Sequence, residues 1–174
     1  MKLLVIDIQK GITDEELYNY KGFLKNVATI IEAARKNNVE VIYVQHDDGP
    51  GSGFTFGDED FEIADEVAPN EGEKIFTKEI NSAFGNKEFA SYLESQGEKD
   101  LMIIGLQTNF CIDATIKSAF ERGYHVLVPE GTNSTFDNEY MTGETTYNYY
   151  NEFVWPNRFV DIVTMEEAID LLTK

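Results

Sequence analysis

Apolar residues along the chain gather into six short, nearly continuous runs: KLLVIDI, VEVIYVQ, KIFTK, DLMIIGL, YHVLVPE and RFVDIVT. A strand with one wet face alternates apolar and polar positions, whereas runs like these read as strands buried on both faces. Between them the period changes. Phe23, Leu24, Val27, Ile30, Ile31 and Ala34 recur at helical spacing, and Ala114, Thr115, Ser118, Ala119 and Arg122 form a second helical face. Strands alternating with helices predict an α/β fold: a doubly wound, mainly parallel, six-stranded sheet with helices on both faces, Rossmann-like in architecture. Asn37 and Asn38 are placed to stop the first long helix, and Gly123 to cap a later one in a left-handed conformation. Residues 46–73 break the regularity, with five glycines and two prolines in HDDGPGSGFTFGDEDFEIADEVAPNEGE. A loop that long in a compact domain is usually functional or disordered.

Composition narrows the class. The 174 residues, 42% of them hydrophobic, suffice for one full core and are few for two, so a single domain over 1–174 is expected. Against 14 basic residues stand 32 acidic ones, and the net charge of −18 repels phosphate backbones and anionic lipid heads. Nucleic acid and membrane are therefore poor partners. No stretch approaches the ~20 apolar residues of a membrane span. LLVI is cut off by Asp7, too early for a secretory signal, and one cysteine allows no internal disulfide, which together argue for a cytoplasmic protein.

That one cysteine, Cys111, lies in GLQTNFCIDAT, where the fourth apolar run passes through a polar turn into a helix. With Thr108 as N-cap, Cys111 would be the third helical residue, near free backbone N–H groups and the positive end of the helix dipole. Such a site can lower a thiol from about 8.5 into the range of roughly 3.5 to 7.5 and supply a nucleophilic thiolate. Taken alone, a lone cysteine is more often a small buried hydrophobe. Its company matters, because ligands in open parallel sheets bind beyond the carboxyl ends of the strands. Asp7 ends the first run and Lys78 the third, while Cys111 lies just past the fourth. Singly, Asp7 reads equally well as a cap and Lys78 as a solvated charge. Jointly they offer a base, a cation and a nucleophile for attack on an acyl carbon.

LLVIDIQKGI, FTKEINSAF and GLQTNFCIDATIKSAFERGYHVLVPEGT occur in the order and at about the spacing of the isochorismatase-like cysteine hydrolases, the group that includes nicotinamidases and N-carbamoylsarcosine amidase. The chain resembles that family over nearly its whole length. The resemblance implies Asp7 as general base, Lys78 as its partner and Cys111 as nucleophile. It also implies a non-proline cis peptide between Leu106 and Gln107, and an oxyanion hole from the backbone N–H groups of Gln107 and Cys111. The activity implied is hydrolysis of an amide-like C–N bond in a small molecule through a thioester, without a cofactor, in a homodimer or homotetramer.

The chain also departs from the pattern. Nicotinamidases of this family hold a metal through an Asp-x-His pair and a second histidine after the second strand, and VQHDDGPGSG offers only His46, Asp47 and Asp48. These could hold a metal in principle, but a satisfied loop histidine and a metal-free site are the expectation, with His125 a core or strand residue. Gln9, Phe54, Asn81, Phe84 and Thr108 are candidates for contact with substrate, and Phe54 and Phe56 for a lid on glycine hinges. Tyr140, Tyr147, Tyr149, Tyr150, Phe153 and Trp155 suit a subunit interface or a substrate platform. Other readings stay open: a metal-assisted nicotinamidase type, an isochorismate-type vinyl ether hydrolase, which needs the acid but no thiol, and a non-catalytic binding module. A flavodoxin-like carrier would need a phosphate-cradling loop after the first strand, and DIQKGITDEEL is a poor one.

Overall fold

The computed structural model describes residues 1–174. Strands β1 (Lys2–Ile6), β2 (Glu40–His46), β3 (Lys74–Lys78), β4 (Asp100–Leu106), β5 (His125–Pro129), β6 (Asn133–Ser134) and β7 (Asp161–Val163) form one sheet. Its order is β3-β2-β1-β4-β5-β7, with β6 paired to β4 and every pairing parallel. Six of these are the runs read from sequence. The seventh, β6, has two residues and no pattern to announce it.

Because the sheet is covered on both sides, alternate residues of one strand enter different cores. Leu3 and Val5 of β1 join the layer that holds α1 (Tyr20–Lys36) and α5 (Met165–Leu172). Leu4 and Ile6 join the layer of α2 (Lys87–Gln96) and α3 (Asp113–Glu121). The short α4 (Gly143–Asn148) completes the helices. Helix α1 buries Phe23, Val27, Ile30, Ile31 and Ala34, the stripe its spacing predicts, and the larger of these side chains stabilise by about 1.5 to 3 kcal/mol each. It ends at Asn37, with Asn38 left-handed at φ 58°, and α3 is followed by Gly123 at φ 78°. In α5, Thr164 and Glu167 close a reciprocal capping box.

Two contacts bring the strand ends close together. Gly105 lies opposite Ile6 across the β1–β4 pairing at φ 133°, and a Cβ there would stand 2.0 Å from the Ile6 carbonyl oxygen. The long segment 46–73 folds back onto the core: Phe61, Ala64 and Val67 are buried, and the Ala64 N–H donates to the Ile8 carbonyl at 2.9 Å. No helix is long and apolar enough to cross a membrane.

Candidate active site

Asp7 is the first residue beyond β1 and adopts a left-handed conformation, φ 52°, uncommon for a side chain with a Cβ. Its N–H donates to the Val44 carbonyl at 2.8 Å, which ties the turn to β2. Lys78 is the last residue of the edge strand β3, yet its side chain is wholly buried because it points inward across the strand ends. Cys111 lies in a wide turn, Thr108–Ile112, that leads into α3.

These residues converge. Lys78 Nζ lies 2.6 Å from Asp7 Oδ2 and donates to Cys111 Sγ at 3.2 Å. The carboxylate contact is an ion pair rather than an aligned hydrogen bond, since neither Asp7 oxygen meets a donor at hydrogen-bonding angles. Burial pushes the Asp7 carboxyl above its ordinary range, and the Lys78 ammonium pulls partly the other way. Burial, reinforced by the Asp7 charge, pushes the Cys111 thiol up to about 12. The expected thiolate at a helix terminus is therefore corrected: at rest the sulfur keeps its proton, with a carboxylate of raised basicity nearby to take it. Burial and the Asp7 carboxylate outweigh the helix end, whose geometry also differs from expectation: Gln107, not Thr108, is the N-cap of a wide turn.

The peptide between Leu106 and Gln107 is cis. The Gln107 N–H donates to no group of the protein.

The softer candidates divide. Asn81 is exposed, and its Oδ1 lies 3.9 Å from Cys111 Sγ, at the site. Phe54 packs over Gly11 in the turn after Asp7, where an added Cβ would stand 2.9 Å from the ring. Gln9 is corrected to a structural role: fully buried, it accepts from the His46 N–H at 2.7 Å and donates to the carbonyls of His46 and Phe61. Thr108 is likewise internal, its hydroxyl donating to Asn133 Oδ1 at 2.7 Å. Phe84 stacks in the core against Phe89 and Tyr124, on a position whose burial the sequence could not separate from a pocket wall.

His125 is the strand residue expected, though not a core one, whereas His46 departs from expectation. His46 ends β2 rather than lying in a loop, and it faces Lys78. The register pairs them, His46 with Lys78, so aligning the ends of the second and third apolar runs could have found the contact. His125 opens β5 at the opposite end of the sheet, about half exposed, between Asp100 and Asp161. Asn109 and Thr135, joined by a 2.7 Å hydrogen bond beside Gln107, had no sequence signal at all.

Metal ligation has one geometric candidate. Asp7, His46 and Cys111 each present a donor atom within 4.8 Å of the others. The Lys78 ammonium already contacts all three, so a metal would have to displace a buried cation that Asp7 holds. His46, Asp47 and Asp48 do not converge, because Asp47 caps the Gly49 N–H while Asp48 binds His46. The residues present do not fit the histidine-rich metal set.

Residues 2–167 match the family model described as the Isochorismatase domain. An uncharacterised isochorismatase family protein of Bacillus subtilis is 33% identical over 138 residues, 76% of this chain and 77% of that protein. Nicotinamidase 3 of Arabidopsis thaliana is 30% identical over 79% of this chain and 74% of its own length. A crystal structure of an isochorismatase family protein superposes with a TM-score of 0.85 at 30% identity, covering 93% of this chain and 96% of that one.

Proposed function

The chain belongs to the isochorismatase family of hydrolases, and from that premise we propose that it cleaves an amide-like C–N bond of a small molecule through a Cys111 thioester. One observation carries the reading: a buried ammonium, Lys78, touches both a carboxylate and the only thiol of the chain. The similarity to a nicotinamidase supports an amide as substrate class.

Asp7 takes the Cys111 proton as the sulfur adds to the carbonyl carbon, so no free thiolate need accumulate at rest. Lys78 holds the aspartate and faces the developing charge on sulfur. The oxyanion is received by the N–H groups of Gln107 and Cys111, worth on the order of 3 kcal/mol per donor. Collapse breaks the C–N bond, and the departing amine or ammonia leaves with the proton that Asp7 carries. Water then attacks the thioester, Asp7 accepts a proton from it, and the thiol is restored as the carboxylic acid departs. Asn81 and Phe54 are the side chains we assign to the substrate.

We extend the proposal to self-association as a dimer or tetramer, since Phe110, Ile80 and Phe153 stand exposed, the first beside Cys111. A cytoplasmic setting suits a reaction that needs a free thiol.

The test is an ammonia-release screen of small amides with native protein and Cys111→Ala, followed by mass spectrometry for an acyl adduct. Turnover by the native chain alone, with the adduct on Cys111, is the expected result. Equal turnover by Cys111→Ala would sink the assignment, and a light-scattering mass of one chain would sink the oligomer.

A further inference from the structure

The reacting trio leaves a fourth side chain unaccounted for. Lys78 Nζ forms an ion pair with Asp7 Oδ2 and turns its N–H groups to two acceptors, Cys111 Sγ and, at 3.0 Å, His46 Nδ1. An ammonium has no lone pair, so the imidazole must supply one, and the ring proton is confined to Nε2. Nε2 lies 2.9 Å from Asp48 Oδ1, to which it donates. The ring is thus held between a carboxylate outside and an ammonium inside. The backbone of His46 is secured separately, by Gln9 on both its N–H and its carbonyl. Any residue could use that backbone clasp, so it does not account for an imidazole at this position. The ring atoms are spent on Lys78 and Asp48.

We propose that His46 is a positioning residue for the hydrolysis and that Asp48 anchors its Nε2–H, the pair holding the Lys78 ammonium between Asp7 and the Cys111 sulfur. The inference rests on Asp7, Lys78 and Cys111 being the reacting groups. Lys78 is wholly buried, so an N–H deprived of the imidazole would have no acceptor. It regains one only by tilting toward Asp7 or admitting water, and either movement draws positive charge away from sulfur. His46 acts through Lys78, and its loss shows in the reactivity of Cys111 before it shows in the fold.

The measurement is the rate at which iodoacetamide alkylates Cys111 at pH 9, followed by intact mass on the full chain, with Cys111→Ala as the blank. His46→Leu, which has no acceptor, is expected to slow labelling about tenfold. His46→Asn, whose amide oxygen can stand where Nδ1 stood, is expected to restore the rate to within about threefold of native. Labelling of His46→Leu at the native rate, or failure of asparagine to rescue it, overturns the proposal. Lys78→Met separates this failure from the larger one: native-rate labelling in that variant would mean that the lysine does not serve the sulfur, and the triad itself would fall. Should His46→Leu not fold, Asp48→Ala carries the test, because that side chain is 56% exposed and its loss leaves the core untouched. A ring whose Nε2–H has lost the carboxylate that anchors it is expected to slow labelling about threefold. An unchanged rate there likewise overturns the proposal.

Discussion

Lys78 Nζ and Asp7 Oδ2 lie 2.6 Å apart with both side chains sealed from solvent, at the ends of strands that are not neighbours in the sheet. Two charges in such a place hold each other there. Removing one leaves the other buried and alone, which typically costs about 3 to 5 kcal/mol. Lys78→Met is therefore expected to destabilise by that amount in urea unfolding. Asp7→Leu combined with Lys78→Met is expected to recover most of it, although activity stays lost. A double variant as unstable as the sum of the singles would show that the pair is not coupled.

The Cys111 thiol is held up to about 12, by burial first and the Asp7 charge second. Alkylation of the native protein is therefore expected to climb steadily from pH 7 to pH 10 without levelling. Asp7→Asn removes the second cause, so its thiol should alkylate faster than native at pH 9. Turnover should fall about 10²- to 10⁴-fold all the same, for want of a base. A plateau in the native profile near pH 7 would contradict the raised thiol.

His125 is raised above its ordinary range by Asp161 first and Asp100 second, at 2.8 and 2.9 Å. A raised folded value means that the protonated form prefers the native state. The stabilisation is fully present below about pH 6.5, where the unfolded histidine is also protonated, and is lost as pH rises through the folded value. The melting temperature of native protein should exceed that of His125→Gln below pH 6, with the gap closing in alkaline solution. Partial exposure and salt screening keep the gap small. A gap that widened with pH would reverse the assignment.

Gly105→Ala is expected to destabilise by on the order of 3 kcal/mol or more, because the new Cβ would stand 2.0 Å from a carbonyl oxygen and φ is 133°. The carbonyl belongs to Ile6, immediately before Asp7, so activity should fall alongside stability. Denaturant unfolding checks the first effect, and ammonia release the second. An alanine variant with native stability would mean that the strands can part there cheaply.

Gln9→Ala should cost about 1 to 3 kcal/mol, since it takes the side-chain partner from the partly buried N–H and carbonyl of His46, while the Phe61 carbonyl keeps Gln45 Nε2. Calorimetric melting would measure it, and a native melting temperature would refute the clasp.

The alternation of strands and helices, the α1 stripe and its stop at Asn37 were all legible in the order of residues. That order also placed Asp7, Lys78 and Cys111 at or just past strand ends. These are local properties: burial on two faces forbids polar residues within a run, and a parallel sheet sends its strand ends to one side. Tertiary structure decided what those ends become when pressed together. Whether Gln9 faces substrate or clasps His46, whether Phe84 lines a pocket or fills a core, and whether the thiol is acidic or held protonated all depend on neighbours distant in the chain. Burial raised the cysteine against the helix-end reading because a desolvated sulfur beside a carboxylate loses more than a wide, irregular turn can return. The register of β2 on β3 turned an apparent loop histidine into a ligand of the buried lysine. Periodicity records which face is apolar; only the packed sheet records which residue stands opposite which.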